Sequence, residues 1–324
     1  MFFIVGRGRS GTTLFSMMLE MHPELCVATE SLFLVSLYNK YSKGKWSKKR
    51  IDSFFEDIWR ESWMEDWNLD KPVLKEKLLA LGDSATFSQL CDIIYREYAC
   101  QRNKPTALIG QKDPHFSFFL DRLLETFPFA KFIHVVRDCR DSILSYQKVN
   151  FDTNNPYALA YRWKAHNEAI QAFGKDHPAQ YLVIRYEDIL CEPESVMRKV
   201  CQFLGIKYTP TIIQVPDKQA VIFDHLIKTT QPLDPSNKNK WQTKMDKKTL
   251  LGVEAICHHT MRHYGYSLAN KPIVRVPLFT LPGLLWGWLL TFLERLLFQL
   301  PLSLRSAILN VYRTVTASNK IRLK

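Results

Sequence analysis

The chain opens with four consecutive apolar residues, 2–5, followed by a short glycine-rich turn and then by apolar positions at helical spacing. An unbroken apolar run of this length is typical of a parallel strand that is buried on both faces. Beyond Thr12, one face of the predicted helix carries Leu14, Met17, Met18 and Met21. We therefore predict a strand, a tight turn from Gly6 to Gly11, and a helix.

Similar apolar runs recur along the chain, each followed by polar residues. They occupy residues 25–28, 106–110, 131–136 and 180–184. Helical spacing of apolar residues follows several of these runs, notably over residues 156–174, from 193 onward, and over 248–264. Strands that alternate with helices are typical of α/β folds. We predict a central five-stranded parallel sheet with helices on both faces.

Two parts of the chain differ from this alternation. Residues 31–104 read as a helical insertion within a main domain, 1–270, and residues 271–324 as a helical C-terminal appendage. Aromatic residues in the insertion could line a pocket, but we favour a role in the core. These residues are Trp46, Trp59, Trp63 and Trp67.

The net charge of +12 favours an anionic partner, such as a nucleotide, a nucleic acid or an anionic membrane. The basic residues are dispersed and match no RNA- or DNA-binding motif, so we expect no nucleic acid. The seven cysteines include no C-x-x-C pair, which favours reduced thiols and a cytoplasmic protein. Because Met1 directly precedes the first strand, we expect no signal peptide or N-terminal anchor.

The turn from Gly6 to Gly11 has the glycine spacing of a P-loop, whose backbone N–H groups and following helix bind phosphate. Thr12-Thr13 stands where a P-loop has Lys-Ser or Lys-Thr. Arg7 and Arg9 lie inside the turn instead, and they would repel each other without an anion between them. The turn therefore suits an anion other than a magnesium-bound nucleoside triphosphate.

Residues 9–14, Arg-Ser-Gly-Thr-Thr-Leu, resemble the phosphosulfate-binding loop of sulfotransferases, in the branch that contains tyrosylprotein sulfotransferases and many bacterial enzymes. The resemblance implies 3′-phosphoadenosine 5′-phosphosulfate (PAPS) as cofactor and adenosine 3′,5′-bisphosphate as its product. It also implies a P-loop-like three-layer sandwich. The loop residues expected to bind the cofactor are Arg7, Gly8, Arg9, Ser10, Gly11, Thr12 and Thr13.

Two further positions match the catalytic residues of this family. Glu30 lies 21 residues after Arg9, at the end of a predicted strand, where the tyrosylprotein branch has its catalytic base. Lys112 begins a Lys-Asp-Pro motif, and in this family the lysine of that motif contacts the sulfate. The resemblance therefore implies Glu30, Arg9 and Lys112 as catalytic residues. A helix-starting role is the alternative for Glu30, and His115 is an alternative base.

A third group of matches concerns the rest of the cofactor. Arg137 and Ser145, eight residues apart, match the pair that holds the 3′-phosphate in the family, and Tyr186 matches a tyrosine near the cofactor. Lys240-Trp241 matches a Lys-Trp pair in a loop over the nucleotide. The chain departs from the family at Gln231, where a lysine is expected; either Lys228 or Lys238 could replace it.

We predict sulfuryl transfer from PAPS to a hydroxyl or amine, with Glu30 removing the acceptor proton. One alternative is a P-loop small-molecule kinase, which Thr12 and the position of Arg137 disfavour. The other is a non-enzymatic protein that binds an anionic ligand, supported only by the net charge. His259 and His263 have metal-ligand spacing but no third ligand nearby, so we predict no metal.

The uncharged stretch at 278–293 is 16 residues long, below the ~20 residues that span a bilayer. Trp286 and Trp288 suit a membrane interface. Basic residues that suit anionic headgroups follow at Arg305, Arg313, Lys320, Arg322 and Lys324. One interpretation is peripheral contact of residues 277–302 with the cytosolic face of a membrane, together with a lipid or hydrophobic acceptor. The other is a helical hairpin packed on the core or between two copies of the chain.

Overall fold

The computed structural model describes residues 1–61, 63–149, 151–214, 233–270 and 275–300, and also residues 304, 305 and 308. Its centre is a sheet in the strand order β2-β3-β1-β4-β5, with every neighbouring pair parallel. The strands are β1 (Phe2–Val5), β2 (Leu25–Ala28), β3 (Leu108–Lys112), β4 (Lys131–Val136) and β5 (Tyr181–Arg185). The predicted five-stranded parallel sheet is confirmed.

Helices connect and cover these strands. Within the described residues they are α1 (Thr12–Glu20), α2 (Phe33–Ser36), α3 (Tyr38–Tyr41), α4 (Lys48–Ile58), α5 (Lys71–Ala80), α6 (Phe87–Gln101), α7 (Leu120–Thr126), α8 (Cys139–Tyr146), α9 (Pro156–Asp176), α10 (Tyr186–Cys191), α11 (Pro193–Leu204), α12 (Trp241–Lys244), α13 (Lys247–His263) and α14 (Leu281–Leu297). The helix predicted at 156–174 is α9, and that predicted at 248–264 is α13.

The side chains of β1 alternate between two apolar cores, one on each face of the sheet. Phe2 and Ile4 belong to a core that includes buried residues of α1 and α11. Phe3 and Val5 belong to the other core, which extends into the helical insertion. All four side chains are fully buried, as expected of a parallel strand covered on both sides. The sheet is therefore the middle layer of a three-layer sandwich, as predicted.

The insertion between β2 and β3 forms a helical cap whose aromatic residues are largely core. Trp67 is fully buried and packs against Phe33 and Tyr98, with ring centroids 5.8 Å and 4.7 Å away. Trp46 is buried against Tyr41. The core interpretation holds for these two tryptophans, whereas Trp63 is exposed at the surface.

Helix α14 packs along α9 through a row of small residues. Gly283, Gly287 and Thr291, spaced four apart, are its buried positions. A Cβ on Gly287 would lie 2.7 Å from the carbonyl oxygen of Ala158, so glycine permits the close approach of the two helices. Pro282 lies in the first turn, where its missing N–H breaks no helical hydrogen bond.

The opposite side of α14 is apolar and exposed. Its exposed large side chains are Leu281, Leu285, Trp286, Trp288, Phe292, Leu293 and Leu296. Among the described residues, no helix is long and apolar enough to cross a bilayer. One side of α14 therefore packs on the domain while the other remains at the surface.

Arg305 does not lie on a headgroup-facing surface, contrary to the sequence-based expectation. Its side chain is 2% exposed and forms an ion pair with Glu61 of the helical insertion. A buried guanidinium needs such a carboxylate, because an unpaired charge in the interior is costly. The other basic residues assigned to headgroups, Arg313, Lys320, Arg322 and Lys324, lie outside the described residues.

Candidate active site

The turn between β1 and α1 forms an open cradle of backbone. Arg9 and Gly11 adopt left-handed backbone conformations, with φ of 64° and 88°. A Cβ on Gly11 would collide with the ring of Tyr186, and one on Gly8 would collide with the hydroxyl of Tyr146. Glycine is therefore required at both positions by the close approach of tyrosines from other elements.

The cradle carries polar groups suited to an anion. Within the described part of the chain, no side chain caps the N-terminus of α1, where Thr12 and Thr13 begin the helix. Ser10 Oγ is buried and lacks a hydrogen-bond partner among the described residues. Free N–H groups and the positive end of the helix dipole attract negative charge. These features fit the phosphosulfate group that the loop is expected to bind.

The two arginines of the turn have different environments. Arg7 is buried, forms an ion pair with Asp152, and lies over the ring of Tyr146 at 4.7 Å. Because a protein carboxylate neutralises Arg7, the inference that the two arginines need an anion between them is wrong for Arg7. Arg9 instead donates from Nε to Ser145 Oγ at 3.2 Å. Burial lowers the pKa of Arg9, and the neighbouring positive charge of Arg137 adds to this shift.

Arg137 follows β4 and connects the loop to the segment around Asn237. Its Nη1 donates to the carbonyl of Arg9 at 3.3 Å, and its Nη2 donates to the carbonyl of Asn237 at 3.1 Å. The guanidinium also lies 4.5 Å from the ring centroid of Tyr186. Its Nε is buried without a partner among the described residues. A donor left unsatisfied in this way fits a phosphate oxygen.

Asn237 was not singled out from the sequence, yet it holds the segment before α12 in place. Its Nδ2 donates to Tyr186 Oη at 2.7 Å, and its Oδ1 accepts from Lys240 Nζ at 2.6 Å. The sequence offered only its closeness to the Lys240-Trp241 pair as a signal. Lys238 points elsewhere and contacts Cys191 Sγ at 2.6 Å. Lys228 and Gln231 lie outside the described residues.

The ring of Trp241 packs against a buried network of ion pairs. Its backbone N–H donates to Asp141 Oδ1 at 2.9 Å, and the guanidinium of Arg140 lies 3.6 Å from its ring centroid. Arg140 pairs with Asp138 and Glu254, each at 2.6 Å. Arg140 and Asp141 are neighbours in the sequence and could have formed a solvated ion pair. Instead Arg140 is 2% exposed, and its carboxylate partners are Asp138 and Glu254.

Glu30 and Lys112 meet at the ends of the neighbouring strands β2 and β3. Lys112 Nζ forms an ion pair with Glu30 Oε1, and the lysine side chain is 9% exposed against 38% for the glutamate. Asp113 is buried and caps the turn that follows, accepting from the His115 N–H at 2.9 Å. The sheet therefore brings the predicted base and the predicted catalytic lysine into contact.

His115 lies on the same side of the site but is poorly suited to act as a base. Partial burial of the imidazole disfavours its protonated form, but the hydrogen bond and charge of Asp113, with the charges of Glu294 and Glu30, outweigh this effect. Together they raise the pKa of His115 to about 9. About half of the side chain is exposed to solvent. A histidine protonated at pH 7 donates a proton rather than accepting one, which favours Glu30 as the base.

Among the described residues, no cluster of His, Cys, Asp and Glu could hold a metal ion. His259 and His263 thus remain surface residues of α13 without further ligands. Trp163 is buried and donates from Nε1 to the carbonyl of Arg137 at 3.0 Å, which helps to hold the residue after β4 in place.

Comparison with known proteins shows to which family the chain belongs. A model of the sulfotransferase family matches residues 2–210, and the chain therefore belongs to this family, as its loop predicted. Protein-tyrosine sulfotransferase 1 of Danio rerio is 28% identical over 216 residues, which are 65% of this chain and 54% of that protein. The match thus spans about half the length of that relative.

Solved structures agree on the fold. The sulfotransferase domain of the Synechococcus PCC 7002 olefin synthase has a TM-score of 0.59 at 23% identity, covering 82% of this chain and 94% of that domain. The sulfotransferase domain from the curacin biosynthetic pathway has a TM-score of 0.56 at 22% identity, covering 82% of this chain and 98% of that domain. Because both identities are below 25%, these two structures support the assignment of the fold alone.

We predict that His115 titrates near pH 9 rather than near 6.5, because the Asp113 carboxylate stabilises the imidazolium. NMR chemical shifts of the ring measured against pH give the midpoint, and Asp113→Asn should lower it. The contribution to stability is fully present below pH ~6.5 and is lost as the pH rises through about 9. A midpoint near 6.5 in the unmodified protein would reopen His115 as a base.

Proposed function

We propose that the protein transfers a sulfuryl group from PAPS to a hydroxyl or amine of an acceptor. One observation carries the proposal: two features lie at the same edge of the sheet. They are the turn that carries Arg9 before the N-terminus of α1, and the ion pair of Glu30 with Lys112. Family membership supports it. A P-loop kinase would need a lysine at Thr12 and an acidic magnesium ligand after β4, where Arg137 stands.

The residues present fit this cofactor. The N-terminus of α1 with Ser10 and Arg9 would hold the phosphosulfate end. Arg137, whose Nε is buried without a partner among the described residues, would hold the 3′-phosphate together with Ser145. Residues near Arg137 would cover the nucleotide: Tyr186, Lys240 and Trp241. Lys238 is less suited to this role, because its ammonium contacts Cys191.

PAPS supplies the sulfuryl group, and adenosine 3′,5′-bisphosphate leaves when the bond from sulfur to the bridging oxygen breaks. Glu30 accepts the proton of the acceptor hydroxyl as the new oxygen–sulfur bond forms. Lys112, next to Glu30, and Arg9, in the cradle, place positive charge where negative charge develops on the transferred group and the leaving phosphate. These side chains supply the charge that magnesium supplies in kinases.

We further propose that the acceptor is hydrophobic and lies at the cytosolic surface of a membrane. The exposed side of α14 is apolar, and its chain continues into Phe298, whose ring lies 5.8 Å from that of His115. The charged residues of 275–300 are Arg275, Glu294 and Arg295, and Glu294 points inward, so both exposed charges are positive. This combination suits an anionic bilayer. The seven cysteines are free thiols, consistent with a reducing compartment.

We predict that the protein binds adenosine 3′,5′-bisphosphate far more tightly than AMP, because Arg137 serves the 3′-phosphate. Arg137→Ala should weaken binding of the bisphosphate by about 2–3 kcal/mol and binding of AMP little. Isothermal calorimetry measures both. Arg198→Ala is the matched control, since Arg198 is exposed and pairs with Glu194. Equal affinity for the two ligands in the unmodified protein would refute the cofactor assignment.

We predict that Glu30→Gln abolishes turnover while keeping cofactor affinity, because the amide cannot accept the proton. Arg9→Ala and Lys112→Ala should reduce both. Transfer of labelled sulfate from PAPS to a lipid extract and to a tyrosine-containing peptide measures turnover. The two acceptors separate a lipid hydroxyl from the protein tyrosine that the relatives' names indicate. Near-normal activity of Glu30→Gln would eliminate Glu30 as the base.

We predict that the protein sediments with vesicles containing phosphatidylserine through the exposed side of α14. The double substitution Leu285→Ser and Trp288→Ser should abolish sedimentation without unfolding, because both side chains are more than half exposed, at 68% and 53%. Phe129→Ser is the control, since Phe129 is 93% exposed on another part of the surface. Failure of the unmodified protein to bind, or unchanged binding of the double variant, would exclude membrane contact by α14.

A further inference from the structure

A buried chain of charged groups joins α14 to the cofactor loop. Arg7 of the loop pairs with Asp152, whose other oxygen, Oδ1, accepts from Arg162 Nη1 at 2.8 Å. Arg162, on α9, donates from Nη2 to Glu294 Oε2 on α14 at 2.6 Å. Glu294 lies beyond residues 2–210, the part of the chain that the family model matches. Neither its charge nor its place in the sequence indicated a link to the loop.

The members of this chain alternate in sign and are shielded from water. Their side chains are between 6% and 11% exposed. His166 also faces Glu294, at 3.4 Å, but burial lowers its pKa to about 4, so it is neutral at pH 7. Arg162 is therefore the charged group that bonds directly to Glu294 among the described residues. Removing one charge from such an alternating set leaves another uncompensated in the interior.

The position of Arg7 fixes that of the loop itself. Its guanidinium lies over the ring of Tyr146, and the hydroxyl of Tyr146 abuts Gly8 so closely that a Cβ there would collide with it. Arg7 and Gly8 directly precede Arg9 and Ser10, which form the cradle. A shift of Arg7 is thus transmitted to the groups that would bind the phosphosulfate.

Helix α14 also borders the segment that follows Lys112. Phe298, which follows the helix, lies 5.3 Å from the ring of Phe119 and 5.8 Å from that of His115. Arg295 lies 5.3 Å from the ring centroid of Phe118. The helix therefore contacts the turn after Lys112 as well as the buried chain that ends at the loop.

We propose that Glu294 is a positioning residue for the cofactor loop, acting through Arg162 and Asp152 on Arg7. This inference rests on the proposed function, since it assigns the loop to PAPS. Without the Glu294 carboxylate, Arg162 would retain only Asp152 as a charged partner and would compete with Arg7 for it. Arg7 would then be held less firmly, and the cradle would lose part of its fixed geometry.

The test is calorimetric binding of adenosine 3′,5′-bisphosphate to the full chain, together with thermal unfolding. Glu294→Gln should weaken binding roughly tenfold, within the range of coupling between neighbouring residues. Thr291→Ala is the matched control, because Thr291 is buried on the same helix and its hydroxyl donates to the Gly287 carbonyl of that helix at 2.8 Å. It should lower the unfolding temperature and leave the affinity unchanged.

A merely structural role of α14 would make Thr291→Ala weaken binding in proportion to the stability it loses, and that result would overturn the proposal. Unchanged affinity of Glu294→Gln would overturn it as well. If Glu294→Gln does not fold, Arg162→Lys decides, since an ammonium cannot reproduce the fork that bridges Asp152 and Glu294; unchanged affinity there refutes the proposal. If the unmodified protein does not bind the bisphosphate, the proposed function fails and this inference fails with it.

Discussion

Burial of the sheet on both faces is the constraint on which the site depends. The strands are largely apolar because both faces of the sheet are covered, and since all of them run parallel, their carboxyl ends lie along one edge. The cradle follows β1 and Arg137 follows β4 at that edge. Glu30 and Lys112 meet there because β2 and β3 are neighbours. The chemistry is therefore assembled by strand order, from segments that are far apart in the sequence.

Structural features that depend on residues close together in the sequence could be predicted from it. The apolar runs predicted the strands, because a strand that is buried on both faces consists mostly of apolar residues. The Gly6 to Gly11 turn could be recognised because its backbone conformation and the close approach of Tyr186 demand small residues at defined positions. The resemblance of residues 9–14 then indicated the family, which the family match confirms.

Charge pairing could not be predicted in the same way. Arg7, Arg140 and Arg305 each have a buried carboxylate partner that is distant in the sequence, 145, 114 and 244 residues away. Arg140 also pairs with Asp138, two residues before it. A sequence shows which residues carry charge but not which charges meet, since that depends on how distant helices pack. For this reason Arg7 was expected to face an anion and Arg305 to face headgroups.

The close packing of α14 on α9 through Gly283 and Gly287 has a consequence for synthesis of the chain. Protein chains emerge from the ribosome at roughly 5–20 residues per second, so α9 is released well before α14 exists. The contacts between these two helices cannot form before that point. A chain that ended before α14 would leave uncovered the surface of α9 around Ala158 and Tyr161, against which Gly283 and Gly287 pack.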